Sequence, residues 1–419
     1  MNIQMICQQA KRASRILAPV SGAEKNAALL KIADRLWAER EDILAANRAD
    51  QIAAREAGIS PAMLDRLMLN EARLSGMVAD LRHVAELPDP VGEEFEEQTL
   101  PNGLHIRKQR VPLGVLAVIY EARPNVTVDV AGLALKSGNA AILRGGKETI
   151  FSNRALVRAI RAGLENTAIP VEAIQLIDDP DRALVLELLG QDDSVDMVIP
   201  RGGAGLHEFC RKNSRIPVIT GGIGICHLFV DESARQDLSL EVIRNAKIQR
   251  PTVCNALDTV LVHRAIAAQF IPCLVERLAA DGVTFRADEG ALAALAGKFS
   301  DAVTPAGEGD FDNEWLSLVL GIRVVDDMPQ AMVHIAAHST GHSDGILTED
   351  SAHAAQFVSA VDSAAVYVNA STRFTDGAQL GLGAEIAIST QRLHARGPMG
   401  LRELTTYKWV IRGEYQVRD

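Results

Sequence analysis

Gly114-Val-Leu-Ala-Val-Ile-Tyr120 is a continuous apolar run, and its reading decides the fold class. A strand with one face in water alternates apolar and polar residues. An unbroken run of this length reads instead as a strand buried on both faces. The stretches after it repeat the grammar: 126–136 as a helix, 140–144 as a strand, 150–164 as a helix, 174–177 extended, 181–189 helical and 196–200 extended. Strands alternating with helices imply β-α-β units and a parallel sheet. Ligands of such sheets bind at the carboxyl ends of strands, so the loops that follow each strand are the ones to inspect.

Outward from that block, residues 1 to 90 read as successive amphipathic helices closed by Leu87-Pro-Asp-Pro90. Ser60 before Pro61 offers an N-cap with proline at the first helical position. The acidic run 93–97 reads as a solvated surface segment. Residues 104–111 alternate as a strand behind the turn Pro101-Asn102-Gly103, which suits either a subunit-pairing β-arm or a plain surface hairpin. A second α/β block begins near Ile225, with strands over 227–231, 258–263, 283–287, 318–325 and 364–368, and helices over 238–249, 265–280, 289–296, 328–338 and 351–361. The tail 407–412 reads as a last strand.

A formal charge of −11 argues against nucleic acid as a partner. Five scattered cysteines without a C-x-x-C exclude an obvious zinc motif or disulfide framework and suit a reducing compartment. No run of about 18 apolar residues suggests a membrane span. Residues 1–23 hold Lys11, Arg12 and Arg15 and no acid, yet they flow into the helical pattern without a cleavage site. The segment reads as part of the fold of a cytoplasmic protein.

Four places could carry chemistry. Pro251 ends the helix 238–249, and Cys254 follows on a short loop before the strand 258–263, where a cysteine either packs or is presented as a nucleophile. Asn125 closes Glu121-Ala-Arg-Pro-Asn125, where it is either a helix N-cap or an amide donor to an oxyanion. Arg144-Gly145-Gly146-Lys147 and Arg201-Gly202-Gly203 follow two of the strands. Each could be only a turn; two in one sheet, with cations beside them, suit the phosphates and ribose of a dinucleotide. There is no G-x-G-x-x-G, so a standard Rossmann site is not supported. The polar loops holding Arg373 and Arg396 could bind a small polar substrate. His334, His338 and His342, at i, i+4 and i+8, read as a polar helix end rather than a metal site, because Gly341 interrupts the helix.

In this order, Val118-Ile-Tyr-Glu-Ala-Arg-Pro-Asn-Val-Thr127, Ile142-Leu-Arg-Gly-Gly146, Ile199-Pro-Arg-Gly-Gly203, Arg250-Pro-Thr-Val-Cys-Asn255, Arg373-Phe-Thr-Asp-Gly377 and the segment 394–401 resemble the aldehyde dehydrogenase superfamily. Within it they are most similar to the γ-glutamyl phosphate reductases. The resemblance spans the chain. It implies a parallel-sheet cofactor-binding domain (1–94 and 112–224), an α/β catalytic domain (225–398) and a small β oligomerisation arm (95–111 and 399–419).

The resemblance also implies roles. Cys254 would be the nucleophile, with Asn125 and the Cys254 backbone N–H as the oxyanion hole. Arg144, Gly145, Gly146, Lys147, Arg201, Gly202, Gly203 and Glu314 would hold the cofactor. Arg123, Arg373 and Arg396 are candidates for gripping the substrate, glutamyl phosphate. Hydrolytic relatives carry a general-base Glu where Thr220 stands before Gly221-Gly222, so a thioester here would be spared hydrolysis. Many reductases of the family have His in that segment, a departure in this chain. NAD-preferring relatives often place Glu where Lys147 stands, so NADPH is the expected cofactor. The expected assembly is a homodimer or homotetramer, with contact to glutamate 5-kinase left open. A hydrolytic NAD(P)-dependent aldehyde dehydrogenase is the alternative.

Overall fold

The computed structural model describes residues 1–221, 223–299 and 301–418. The chain divides into two compact units: residues 1–220, 381–387 and 399–419 in the first, and residues 221–380 and 388–398 in the second. No helix among the described residues is long and apolar enough to cross a membrane.

The first unit opens with five helices, Ile3–Leu17, Gly22–Ala38, Arg40–Glu56, Pro61–Leu67 and Glu71–Glu86. Their starts are written locally: Ser21 and Glu24 form a reciprocal capping box, and Ser60 and Asn70 cap their helices through side-chain oxygens. Two strands follow, β1 (Glu94–Thr99) and β2 (His105–Pro112), then β3 (Val115–Tyr120), β4 (Ala140–Arg144), β5 (Ile174–Leu176) and β6 (Met197–Arg201). The parallel sheet runs β5-β4-β3-β6. Every residue of β3 is buried, as its unbroken apolar run requires. The chain steps from β3 out to β5 and then returns to the other side of β3 as β6. The reversal leaves a crevice at the carboxyl ends of β3 and β6, where open α/β sheets bind ligands.

The second unit contains β7 (Cys226–Val230), β8 (Leu257–His263), β9 (Thr284–Ala287), β10 (Val303–Pro305), β11 (Val319–Val325), β12 (Ser343–Leu347) and β13 (Ala365–Val368) in one parallel sheet, ordered β10-β9-β11-β8-β7-β12-β13. Its core includes Phe270, Leu274, Leu278, Phe285 and Ile322. A smaller cluster is built on Phe229, Ile335 and Phe357. A two-stranded ladder, β14 (Ile388–Ser389) with β15 (Gly397–Pro398), completes this unit.

The last strand, β16 (Thr405–Arg412), pairs with β2 along its whole length, giving an antiparallel sheet β1-β2-β16. The acidic run expected as a solvated surface segment is exposed, and it is also strand β1. Cross-strand ion pairs hold its charges, with Lys108 Nζ 2.5 Å from Glu96 and Arg107 Nε 2.9 Å from Glu94. The same solvated charges pair it to β2.

Candidate active site

Cys254 sits on the turn between the Gln236–Ile248 helix and β8, and it is partly exposed. The turn is at the amino end of β8, opposite to where sheet position alone would put it. Close packing fixes it. Cys226 donates its S–H to the Cys254 carbonyl at 3.2 Å. Burial, reinforced by Asp258 and Asp344, pushes the Cys226 thiol pKa well up, so this donor stays protonated. Gly224 passes so close that an added Cβ would lie 1.5 Å from the Cys254 carbonyl oxygen. On the other side Asn255 Nδ2 donates to the Thr375 carbonyl at 2.9 Å, and Thr372 Oγ1 donates to the Asn255 carbonyl at 2.7 Å. Thr375 is itself held by Ser343 and Tyr367, both at 2.6 Å. The chain leaving β13 thus folds back to brace the residue after Cys254.

Arg373 lies on that returning segment and donates from Nε to Gln249 Oε1 at 2.7 Å. Asn255 Nδ2, from the residue after Cys254, also donates to the Arg373 carbonyl at 3.4 Å, which puts Arg373 beside the cysteine turn. Arg396 instead pairs with Asp362 at 2.6 Å. Glu314 accepts from the Gly224 N–H at 2.9 Å, which ties it to the same strand entrance.

Asn125 opens the buried helix Asn125–Lys136, and the structure overturns the capping expectation. The N-cap position is Pro124, with no side-chain cap bond. Asn125 instead donates from Nδ2 to Asp129 Oδ2 at 2.9 Å. The turn from β3 into this helix places Ala122 at φ +37°, a region that non-glycine residues rarely adopt. Glu148 Oε1 accepts the Ala122 N–H at 2.9 Å and holds the turn. Arg123 lies on it, two residues before Asn125.

Beside this turn lies a cavity of about 780 Å³, lined among others by Tyr120, Glu121, Arg144, Gly146, Lys147 and Arg182. Its size suits an organic cofactor. Side chains crowd the glycines. A Cβ at Gly145 would lie 2.1 Å from Asn153 Nδ2, one at Gly146 2.2 Å from Glu148 Oε1, and one at Gly202 2.5 Å from Glu121 Oε2. Under the first pair runs a one-way hydrogen-bond chain. Thr127 donates to Asn153 at 2.8 Å, so the Tyr120 hydroxyl must be the donor to Thr127 at 2.7 Å. Asn153 donates to Thr149 at 2.9 Å, and Thr149 donates to the Gly146 carbonyl at 3.0 Å.

The cavity charges divide by function. Arg144 spends its guanidinium on backbone, reaching the Gly145 carbonyl at 3.0 Å and the Pro180 carbonyl at 2.9 Å, and so clasps the loops after β4 and β5. Glu121 accepts the Gly203 N–H at 3.1 Å, and Arg201 donates to the Ile386 carbonyl. Lys147 and Arg182 are exposed and make no ion pair among the described residues. They are the cations free to meet an anion.

The histidine spacing does not survive. His334 and His338 share the Met328–His338 helix with ring centroids 4.3 Å apart, but His342 lies beyond it, just before β12. Among the described residues no group of three or more His, Cys, Asp or Glu side chains could hold a metal ion. Gly221 is wedged against the Ile388 carbonyl oxygen, which a Cβ would approach to 2.1 Å. Gly222 lies outside the described residues.

The aldehyde dehydrogenase family model matches residues 1–291. A γ-glutamyl phosphate reductase of Psychromonas ingrahamii is 58% identical over 418 residues, covering 100% of both chains. One from Roseiflexus castenholzii is 57% identical over 421 residues, covering 100% of this chain and 99% of its own. The chain belongs to the γ-glutamyl phosphate reductases of the aldehyde dehydrogenase family. The crystal structure of such a reductase from Thermotoga maritima matches 100% of both chains at 48% identity with a TM-score of 0.97. At 19% identity, an acetylating aldehyde dehydrogenase from Geobacillus thermoglucosidasius shares the fold, covering 100% of this chain and 97% of that one with a TM-score of 0.69.

Within this family context, several residues escaped the sequence reading. Asp129, four residues past Asn125, carries a usable signal, since positions four apart share a helix face. Gly224 precedes β7, Cys226 is its first residue, and Arg182 precedes a helix. Nothing in their local patterns links them to Cys254 or to the glycine pairs.

Proposed function

We propose that this chain reduces L-glutamyl 5-phosphate to L-glutamate 5-semialdehyde with release of phosphate, the second step of proline biosynthesis from glutamate. The observation that carries this is the braced, partly exposed Cys254 turn in a chain 58% identical to a γ-glutamyl phosphate reductase over its full length.

The Cys254 thiolate attacks the acyl carbon of the acyl phosphate. The C–S bond forms, the C–O bond to phosphorus breaks, and the electron pair leaves with inorganic phosphate. The Asn125 amide and the Cys254 backbone N–H receive the negative charge on the acyl oxygen. When bound, the nicotinamide cofactor supplies a hydride to the acyl carbon. Cys254 carries the acyl group as a thioester up to that transfer and leaves as thiolate when the aldehyde carbonyl re-forms. Thr220 stands where hydrolytic relatives carry a base, so water is not activated against the thioester. This disfavours the hydrolytic alternative.

The dinucleotide fits the glycine-lined cavity of the first unit. Gly145, Gly146, Gly202 and Gly203 allow close approach of its backbone, Arg144 and Arg201 hold the surrounding loops, and Glu314 keeps the cofactor-binding role expected of it. We read the cofactor as NADPH, because Lys147 and Arg182 are unpaired cations suited to a 2′-phosphate. Arg373, beside the cysteine turn, is the foremost candidate for the substrate's α-carboxylate. Arg123 is next, and Arg396 is third because Asp362 already occupies it.

The domain roles proposed are cofactor binding for 1–94 and 112–224, catalysis for 225–398, and subunit pairing for 95–111 and 399–419. Exposed Tyr407, Trp409 and Ile411 on β16 support a homodimer or homotetramer built through that last segment. Because the acyl phosphate is an activated substrate, direct contact with the glutamate 5-kinase that makes it belongs to the same proposal. The reaction is tested in reverse, as NADP⁺ reduction by glutamate 5-semialdehyde with and without phosphate. Turnover that requires phosphate supports the reading; equal turnover without it favours the hydrolytic alternative.

A further inference from the structure

Asn125 can assist the acyl oxygen only if its amide presents N–H rather than C=O. The terminal torsion of asparagine is broad and roughly two-fold, so an unheld side chain samples both orientations. Asp129 removes that freedom. It lies one turn further along the Asn125–Lys136 helix, and its Oδ2 accepts the Asn125 Nδ2 hydrogen at 2.9 Å. An ionised carboxylate has only acceptors to offer, so the pair forms in one orientation alone. The Asn125 amide carries two N–H groups. One goes to Asp129, and the second is left directed away from it.

We propose that Asp129 is a positioning residue that locks the Asn125 amide so that its second N–H is the one available to the acyl oxygen. The inference rests on the oxyanion role given to Asn125 above. The titration of Asp129 is consistent with an acceptor at neutral pH. Burial pushes its pKa up to about 6, with Asp80 adding to the rise and Asn125 and Arg201 opposing it. A carboxylate so close to a developing oxyanion carries an electrostatic cost. Its presence there fits a need for orientation, and the positive charge of Arg201 counters part of that cost.

The test is a double-mutant cycle with a conservative rescue, reading kcat, KM and NADPH affinity for D129A, D129N, N125A and N125A/D129A. D129N keeps an oxygen that can accept in the same place but adds N–H donors, so it restores the bond without restricting it to one orientation. D129A should lower kcat about tenfold, a fraction of the roughly 10²–10³ lost with the donor itself. KM and the NADPH Kd should stay at wild-type values. D129N should fall between D129A and wild type, and D129A should add no loss in the N125A background. A loss that multiplies with that of N125A, or D129N as slow as D129A, overturns the positioning role while leaving Asn125 as the oxyanion donor. An N125A variant at full rate overturns the oxyanion reading itself and the proposal with it.

Discussion

Gly224 and the carbonyl of Cys254 are in backbone contact so tight that a methyl group at Gly224 would stand 1.5 Å from the oxygen. No rotamer can relieve a clash with backbone, so either the strand entrance or the cysteine turn must move. Gly224→Ala should therefore displace Cys254, the proposed nucleophile. Displacements on the order of 1 Å cost about a hundredfold in rate. We expect kcat to fall by about that factor with the NADPH Kd unchanged, measured by steady-state kinetics beside direct cofactor titration. Wild-type kcat in this variant would separate the turn geometry from catalysis.

Gly145 makes the corresponding prediction for the proposed cofactor cavity. A Cβ there meets Asn153 Nδ2 at 2.1 Å and disturbs the hydrogen-bond chain that supports Gly146. Gly145→Ala should weaken NADPH binding roughly tenfold or more, equivalent to about one hydrogen bond to a charged group. Alkylation of Cys254 should proceed at the wild-type rate. Fluorescence titration of NADPH reports the first and iodoacetamide labelling the second.

Lys147→Glu replaces an unpaired cation at the cavity with an anion. Loss of a charge-assisted contact, with repulsion added, should cost NADPH about tenfold to a hundredfold in affinity and leave NADH nearly unaffected. Arg182→Glu should act in the same direction. Calorimetric Kd values for both cofactors check this, and an unchanged NADPH-to-NADH ratio in both variants would contradict the assignment of a 2′-phosphate site.

His342 predicts a pH dependence of stability. It is fully buried just before β12, and burial pushes its pKa down to about 4 from 6.5. The folded state resists a proton that the unfolded chain accepts. The contribution is complete above 6.5 and drains away as the pH falls toward 4. Between about pH 7.5 and about pH 5 this site should cost about 2 kcal/mol of stability. Buried carboxylates such as Asp258, pushed up to about 6, carry the opposite sign, so the informative quantity is the difference between His342→Asn and wild type. Urea midpoints at the two pH values measure it; parallel pH dependence in both proteins would rule the site out.

The sheet architecture was legible because β3 is an unbroken apolar run and β7, β8 and β11 are mostly apolar. β12 was not. Ser343-Asp344-Gly345 has the composition of a turn, yet Asp344 is buried in the middle of a sheet. It is satisfied there by the His227 N–H at 2.9 Å, by Ser339 at 2.6 Å and by Ser363. Tertiary partners outweighed local propensity, and no neighbour in sequence announced them. Gly345 belongs there because a Cβ would lie 2.9 Å from both the Leu228 and the Tyr367 side chains. Asn125 looked like a cap for a related reason: sequence shows which groups can bond, whereas Asp129 one turn on decides which bond forms. Sheet position misleads for Cys254, since the rule about carboxyl ends describes the cofactor cavity and not a turn at the amino end of β8.

The central claim is that Cys254 holds the acyl group as a thioester that only phosphate releases. The most direct measurement mixes the enzyme with glutamate 5-semialdehyde and NADP⁺ in phosphate-free buffer and follows NADPH together with intact and peptide mass. The account predicts a burst of about one NADPH per active site, then a stall, with a glutamyl adduct on the Cys254 peptide that vanishes when phosphate is added. Continuous turnover without phosphate, or a burst that leaves the Cys254 peptide unmodified, would contradict it.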